Sequence, residues 1–242
     1  MTNKYLSYDE QRAPKVREMF SRLAWRYDLV NDVMSFGLHR LWKRRTVRLG
    51  LSRPGGNRLR WLDLCCGTGD MAFLAEQFAG RDLAPIGADF TLPMLAVGRR
   101  RAAAEARRTR FVQADALALP FPDGAFDVIT VGYGLRNIAD ASAALVEMRR
   151  VLAPGGRAVI LDFGKPRNPI ANGLYQAFLR TMMPFVGWLF HRDPETYLYI
   201  PESLARYPGQ VGVRELMREA GFEKARFEEK LFGTMGINIG EV

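Results

Sequence analysis

Three aspartates at the ends of successive apolar runs are the residues whose type and spacing point most directly to chemistry. Asp63, Asp89 and Asp115 each lie at or directly after such a run. A single carboxylate in this position is typical of a cap on the following helix. Three in succession favour a nucleoside site instead, in which Asp89 accepts both ribose hydroxyls and Asp115 faces an adenine amino group.

A glycine-containing turn follows the first of these runs, with the sequence Cys65-Cys66-Gly67-Thr68-Gly69-Asp70. Gly67 and Gly69 permit a positive φ and a close approach of ligand to backbone. The third glycine of the dinucleotide fingerprint is missing, and the carboxylates of Asp63 and Asp70 flank the turn. These carboxylates would repel a pyrophosphate, whereas they attract the ammonium and sulfonium of S-adenosylmethionine (SAM). The turn therefore favours SAM and disfavours a dinucleotide oxidoreductase.

The elements that must position these residues alternate along the chain. The predicted strands cover 59–64, 84–88, 111–114, 126–131 and 157–163, and the predicted helices between them cover 71–78, 92–107 and 141–152. This alternation predicts an α/β fold, a Rossmann-like, mostly parallel sheet with helices on both faces. In such sheets, ligands bind beyond the carboxyl ends of the strands, which is where the three aspartates lie.

We expect residues 1–242 to form one domain. Helices are predicted at its N-terminus, over 14–50, before the ligand-binding core at 59–163. Residues 170–207 break the alternation and predict a helical cap insertion, and 213–242 predict a helix and a closing antiparallel hairpin. The apolar residues of the insertion are interrupted by polar ones, so they do not predict a membrane-spanning helix. They form either a buried core or a lid with a channel for an apolar ligand.

Charge and cysteine content narrow the class of protein. The chain has 35 basic and 26 acidic residues, a net charge of +9, which attracts nucleic acid or an anionic membrane surface. The only cysteines, Cys65 and Cys66, are adjacent, which disfavours both a disulfide and structural zinc. No apolar signal segment opens the sequence. We expect a cytoplasmic protein without a bound metal.

The segment 59–163 resembles the class I SAM-dependent methyltransferases. The resemblance is carried by the glycine turn, by Asp89 and Asp115, and by the later segment Leu152-Ala153-Pro154-Gly155-Gly156. It implies a seven-stranded sheet with a reversed final strand. It also implies that the cofactor is contacted by Asp63, Gly67, Thr68, Gly69, Asp89, Asp115, Ala116 and Gly132.

Two signatures resemble the menaquinone/ubiquinone biosynthesis C-methyltransferase family. They lie at 27–43 and 133–137, and further matches lie at 197–203 and 220–222. The resemblance implies SAM-dependent C-methylation of a demethylated quinol ring, with demethylmenaquinol favoured as the acceptor. The ending at 233–240 is closer to the phylloquinone type, so the phylloquinone and ubiquinone precursors stay open as alternatives.

Methylation at carbon requires an electron-rich ring, so the reduced quinol is the expected acceptor. The site must help to deprotonate a hydroxyl and must later accept the ring proton. Arg136 is expected to face the transfer centre and to stabilise a phenolate or position a water, because its guanidinium stays protonated. A structural pair with an acidic neighbour is the alternative. Tyr27 is a second candidate, otherwise a packed aromatic, and His39 is a third, either a general base or a solvated side chain.

The implied partner is a lipophilic quinol with an isoprenoid tail. Peripheral contact with the inner face of the membrane and assembly into a homo-oligomer are left open. Nucleic acid is disfavoured, because Tyr133-Gly134-Leu135-Arg136 stands where a base-binding loop of the Asn-Pro-Pro-Tyr type would be expected. An RNA methyltransferase and a non-catalytic partner subunit remain the alternatives from other classes.

Overall fold

The computed structural model describes residues 32, 35, 37–53, 59–192 and 198–242. Within them, seven strands form one sheet in the order β3-β2-β1-β4-β5-β7-β6. The strands are β1 (Trp61–Leu64), β2 (Ile86–Asp89), β3 (Arg110–Gln113), β4 (Phe126–Gly132), β5 (Leu152–Phe163), β6 (Lys224–Lys230) and β7 (Met235–Glu241). Strands β1 to β5 pair in parallel, and β7 is antiparallel to both of its neighbours. The predicted sheet with its reversed final strand is confirmed.

Helices cover both faces of this sheet. They are α1 (Leu38–Leu51), α2 (Asp70–Ala79), α3 (Leu92–Ala104), α4 (Ala141–Val151), α5 (Pro169–His191), α6 (Tyr199–Arg206) and α7 (Gly209–Glu219). Successive side chains of β4 point to opposite faces of the sheet, and apolar residues occupy both faces. Val128 packs with Trp61 and with residues of α1 and α2, while Ile129 and Val131 join the core under α4, α5 and α7. The central strand is therefore buried on both sides.

Some predicted boundaries shift for local reasons. Strand β5 begins at Leu152, inside a segment predicted to close a helix and turn, because Leu152 pairs with Phe126 and the Gly155 amide donates to the Val242 carbonyl at 2.6 Å. Most of the helical N-terminal segment predicted over 14–50, including Tyr27, lies outside the described residues; α1 covers its last part.

The segment predicted as a helical cap holds α5 and α6. The Asn168 side chain begins α5 by accepting the backbone amides of Ile170 and Ala171 at 2.9 and 3.1 Å. Its buried side, formed by Leu179, Met183 and Val186, joins the core on one face of the sheet. In the parts of the chain that the structure describes, no helix is long and apolar enough to cross a membrane.

Candidate active site

A cavity lies at the carboxyl ends of the strands, beside the switch point where the order reverses between β1 and β4. Most residues with a predicted cofactor contact line it, namely Asp63, Gly67, Thr68, Asp89, Asp115, Ala116 and Gly132. Gly69, Arg136 and His39 are not among its lining residues, and Tyr27 lies outside the described chain. Most cofactor candidates therefore come together, whereas Arg136 and His39 lie outside the cavity wall.

The two glycines of the turn have different tasks. Gly67 has φ 54°, and a Cβ added there would meet no atom within 4 Å, so its backbone lies open to the cavity. Gly69 has φ 95°, and an added Cβ would lie 2.7 Å from the Phe111 ring. The structure thus gives Gly69 a role in packing and in the turn before α2, rather than a place in the cavity wall.

Asp63 is a buried carboxylate held by neutral donors. Its Oδ1 accepts the Thr130 hydroxyl at 2.8 Å, and its Oδ2 accepts the Ala72 amide at 3.1 Å. Burial raises the pKa of Asp63 to about 7. A cationic ligand group beside this carboxylate would favour its ionised form.

Asp89 and Asp115 present acceptors at the next two strand ends. The two Asp89 oxygens accept the amides of Gly67 and Thr91 at 2.9 and 2.8 Å, and burial raises the pKa of this carboxyl group. Each oxygen retains a lone pair for a further donor such as a ribose hydroxyl. Asp115 is exposed, and its Oδ1 accepts the Leu117 amide at 3.0 Å.

The acidic charge of the turn is partly neutralised by two cations that sequence reasoning missed. Asp70 accepts Lys43 Nζ and Arg101 Nη1, both at 2.8 Å. Burial alone would raise the pKa of Asp70, but the two cations outweigh it and hold this pKa at about 2. Lys43 is buried and lines the cavity. Its only signal in the sequence was its place at the end of the 27–43 signature.

Arg136 does not face the cavity as expected, because an acidic neighbour holds it. Its Nη1 donates to Asp162 Oδ1 at 2.8 Å and to the Tyr133 carbonyl at 2.6 Å. Its Cζ lies 4.7 Å from the centre of the Phe163 ring. This is the structural pair given as the alternative. The buried pair supports the turn at 133–137, whose residues Tyr133, Gly134 and Asn137 line the cavity.

His39 is buried near the start of α1 rather than solvated. Its Nδ1 lies 2.7 Å from Ser35 Oγ, and its Nε2 lies 3.8 Å from Asp32 Oδ1. Burial, reinforced by the charge of Lys43, lowers the pKa of His39 to about 4. The imidazole is therefore neutral at neutral pH, which is the form that a proton acceptor requires.

The cap lies beside the cavity, and none of its described residues is among those that line the cavity. The Tyr175 hydroxyl of α5 donates to the Thr234 carbonyl at 3.5 Å, and α6 contacts the helical turn Leu135–Asn137. The wall does contain exposed apolar side chains of Phe90 and Leu117, which flank the strand ends that carry Asp89 and Asp115. Sequence reasoning missed both.

The chain is similar to known proteins over most of its length. Residues 7–241 match the model of the ubiE/COQ5 methyltransferase family. A demethylmenaquinone methyltransferase from Thermus thermophilus is 45% identical over 224 residues, which are 92% of this chain and 99% of the relative. The ubiquinone/menaquinone biosynthesis C-methyltransferase UbiE from Ectopseudomonas mendocina is 42% identical over 234 residues, 96% of this chain and 90% of the relative.

Solved structures give the same fold. A SAM-dependent methyltransferase from Thermotoga maritima has a TM-score of 0.63 and 19% identity, and the match covers 93% of this chain and 98% of that one. At this identity the likeness concerns the fold alone.

Proposed function

This chain belongs to the ubiE/COQ5 methyltransferase family, and we propose that it methylates a ring carbon of demethylmenaquinol to give menaquinol. It is a SAM-dependent C-methyltransferase of quinone biosynthesis. The choice of the menaquinone precursor is supported by the Thermus thermophilus relative, whose name specifies demethylmenaquinone. Methylation of the ubiquinone precursor is the alternative, because the names of other relatives include both quinones. The phylloquinone precursor is a third acceptor to test.

The observation that carries the proposal is the pair of carboxylates on the cavity wall, Asp63 and Asp89, whose hydrogen-bond donors are neutral. These two acceptors fit SAM: Asp63 would accept from the ammonium of its methionine part and Asp89 from its ribose hydroxyls. Asp115, with Phe90 and Leu117 on either side of the adenine, would complete the nucleoside site. When bound, SAM supplies an electrophilic methyl group on a sulfonium.

Thr68, Ala116 and Gly132 are proposed as further contacts of SAM. All three line the cavity, and at Gly132 an added Cβ would lie 2.5 Å from Met71 Sδ. A side chain at 132 would push into this wall of the cavity.

The acceptor ring is proposed to lie against the turn at 133–137, which lines the cavity after β4. Arg136 acts there as a positioning residue, because its pair with Asp162 fixes the turn from beneath. His39 is the proposed proton acceptor of the N-terminal segment: its imidazole is neutral at neutral pH, and the Asp32 carboxylate, 3.8 Å from its Nε2, favours the imidazolium that proton uptake would form. Tyr27 is proposed to contact the acceptor or the methionine end of SAM.

The substrate assignment is tested with labelled SAM and three reduced acceptors in detergent: the demethylated forms of menaquinone, phylloquinone and the ubiquinone precursor. We expect labelled product from each quinol that serves as an acceptor, and the highest kcat/KM for demethylmenaquinol. An Asp89→Asn variant serves as the control without cofactor binding. Label in none of the three quinols would refute the proposal. A preference for the ubiquinone precursor would show that this precursor, and not demethylmenaquinol, is the acceptor.

A further inference from the structure

Helix α5 carries apolar side chains on two opposite faces. Its inner face, with Leu179, Met183 and Val186, is buried in the core. Its outer face is exposed and carries Ile170, Leu174, Phe178, Phe185 and Trp188. Their spacing of four, four, seven and three residues places these five side chains on one stripe. A helix with one buried face needs no second apolar stripe for its folding.

A turn near α5 carries two further exposed apolar side chains. Residues Leu231 and Phe232 join β6 to β7, and Phe232 is 91% exposed. Both have a positive φ, 46° and 56°, which costs conformational energy for residues other than glycine. The turn reaches α5 through the Tyr175 hydroxyl, which donates to the Thr234 carbonyl at 3.5 Å. We call the five α5 side chains together with Leu231 and Phe232 the docking face.

Exposed apolar residues are concentrated here. Thirteen large apolar side chains are exposed in the described residues, and seven of them belong to the docking face. Two of the others, Phe90 and Leu117, line the cavity. Single exposed apolar residues are ordinary, but a cluster of seven marks a surface for interaction.

The charge around the docking face selects its occupant. Residues 163–192 contain four basic residues and no acidic one. One of the four, Arg167, pairs with Glu229 of β6. Among them, Arg180 and Arg192 are exposed on α5 and at its end. Anionic lipid headgroups attract such residues, and tryptophan, here Trp188, is enriched at the boundary of headgroups and acyl chains. A second copy of a chain with net charge +9 would instead bring charge of the same sign.

We propose that the docking face binds the surface of an anionic lipid bilayer, with its apolar side chains inserted at the acyl boundary and the arginines at the headgroups. The inference rests on the proposed function, because a quinol with an isoprenoid tail resides in the bilayer. The Tyr175–Thr234 contact and the packing of α6 on the turn at 135–137 place the helices of the cap beside the turn that contributes Tyr133, Gly134 and Asn137 to the cavity wall. Binding in this way brings the site to its substrate.

The test is co-sedimentation of the full-length protein with vesicles of phosphatidylcholine, with and without phosphatidylglycerol. We expect binding to the anionic vesicles that weakens with salt. The combined variant Leu174→Gln, Phe185→Gln, Trp188→Gln should reduce the partition coefficient by about tenfold or more. Phe232→Ser, a change in a surface turn, should reduce it by about threefold. The combined variant Arg180→Gln, Arg192→Gln should lower binding to the anionic vesicles and its sensitivity to salt.

The matched control is Val146→Gln, Val211→Gln, which changes apolar residues that are exposed outside the docking face. It should bind vesicles like the unchanged protein, and circular dichroism should show that every variant is folded. The proposal is overturned if the unchanged protein does not sediment, or if the control weakens binding as much as the docking-face variants. Loss of a dimer in sedimentation velocity, with vesicle binding unchanged, would assign the face to a second copy instead.

Transfer to a short-tailed quinol in solution separates this inference from the proposed function. All docking-face variants should retain it, because they do not touch the cavity. Activity on that quinol without vesicle binding would refute the docking face and leave the function standing. Vesicle binding without methylation of any quinol would refute the function and leave the docking face standing.

Discussion

Two buried carboxylates lie near the carboxyl ends of parallel strands in the same sheet, yet their surroundings differ. Asp63 of β1 and Asp162 of β5 are 1% and 2% exposed. Asp162 accepts the Arg136 guanidinium at 2.8 Å and is not among the residues that line the cavity. Asp63 accepts only neutral donors in its described hydrogen bonds, and it does line the cavity.

The difference separates a charge used for structure from one kept for a ligand. A buried carboxylate next to a guanidinium is compensated within the fold, and removing its partner is costly. A buried carboxylate whose hydrogen-bond donors are neutral is held at a cost to stability, which raises its pKa, and at Asp63 the charge of Lys43 offsets this rise only in part. Such a group at a cavity wall is typical of a site where the ligand supplies the missing charge.

The largest effect is expected when the buried ion pair of Arg136 and Asp162 is broken. Arg136→Gln should lower the free energy of unfolding by about 3–5 kcal/mol, because Asp162 is left buried without its cation. Urea denaturation followed by circular dichroism measures this loss. The double variant Arg136→Met, Asp162→Asn should recover most of it, since it removes both charges and keeps an acceptor for the backbone amides of Arg136 and Phe163. A loss below about 1 kcal/mol in the single variant would show that the pair is not structural.

The corresponding change at the other carboxylate should separate stability from binding. Asp63→Asn should lower the free energy of unfolding by at most about 1 kcal/mol, because the amide keeps one acceptor oxygen. It should weaken SAM binding by about tenfold to a hundredfold, since a hydrogen bond to a charged group is lost. Isothermal titration calorimetry measures the affinity, with Asp82→Asn, an exposed carboxylate, as the control. An unchanged affinity for SAM in Asp63→Asn would show that the ammonium of SAM does not bind at Asp63.

Much of the cofactor side was predictable from the sequence. Asp63, Asp89 and Asp115 converge because the carboxyl ends of parallel strands share one edge, and the strands themselves are evident as apolar runs. What the sequence could not show is which carboxylates keep their charge free for a ligand. Asp70 looked equivalent to Asp63, but Lys43 and Arg101 reach it from helices far away in the chain.

The acceptor side was harder to predict for the same reason. Arg136 follows β4 directly, which indicated a place at the transfer centre. Its direction is set by Asp162 in the next strand, and no local pattern reports that contact. His39 was expected to be either a base or solvated, whereas the structure buries it in α1 near Ser35. Distant pairing of charges, rather than the order of elements, limits what the sequence can predict here.

A smaller effect is expected in the pH dependence of stability and of SAM binding, through the raised pKa of Asp63. The pKa of Asp63 is raised from an ordinary 3.8 to about 7, so the unfolded chain loses this proton first as pH rises. The contribution of Asp63 to the stability of the protein without ligand should therefore decrease from pH 4 to 7, because the ionised form is disfavoured in the fold. The lowered pKa of His39 gives an opposite trend over the same range, so the effect of Asp63 is the difference between the unchanged protein and Asp63→Asn. SAM affinity should increase over the same range, by up to about tenfold per pH unit, and level off above it.

Differential scanning fluorimetry and calorimetric titration at each pH measure the two trends, and Asp63→Asn should weaken both. An affinity that is independent of pH between 5 and 7 in the unchanged protein would contradict the role of Asp63. Asp127, which pairs with Arg60, offers no such window, because the guanidinium lowers the pKa of its carboxyl group.

The smallest expected effect concerns Lys43, a cation that contributes to structure while lining the cavity. Lys43→Met should lower the free energy of unfolding by about 1 kcal/mol at neutral pH, because Asp70 keeps Arg101 as its second partner. The pKa of Asp70 is lowered from an ordinary 3.8 to about 2, so this stabilisation is present above 3.8 and is lost as pH falls toward 2. The difference between the variant and the unchanged protein should shrink over that range, whereas Lys224→Met, an exposed lysine, should have no such effect. If the difference persists at pH 2, Lys43 stabilises the fold through the packing of its hydrocarbon stem rather than through its charge.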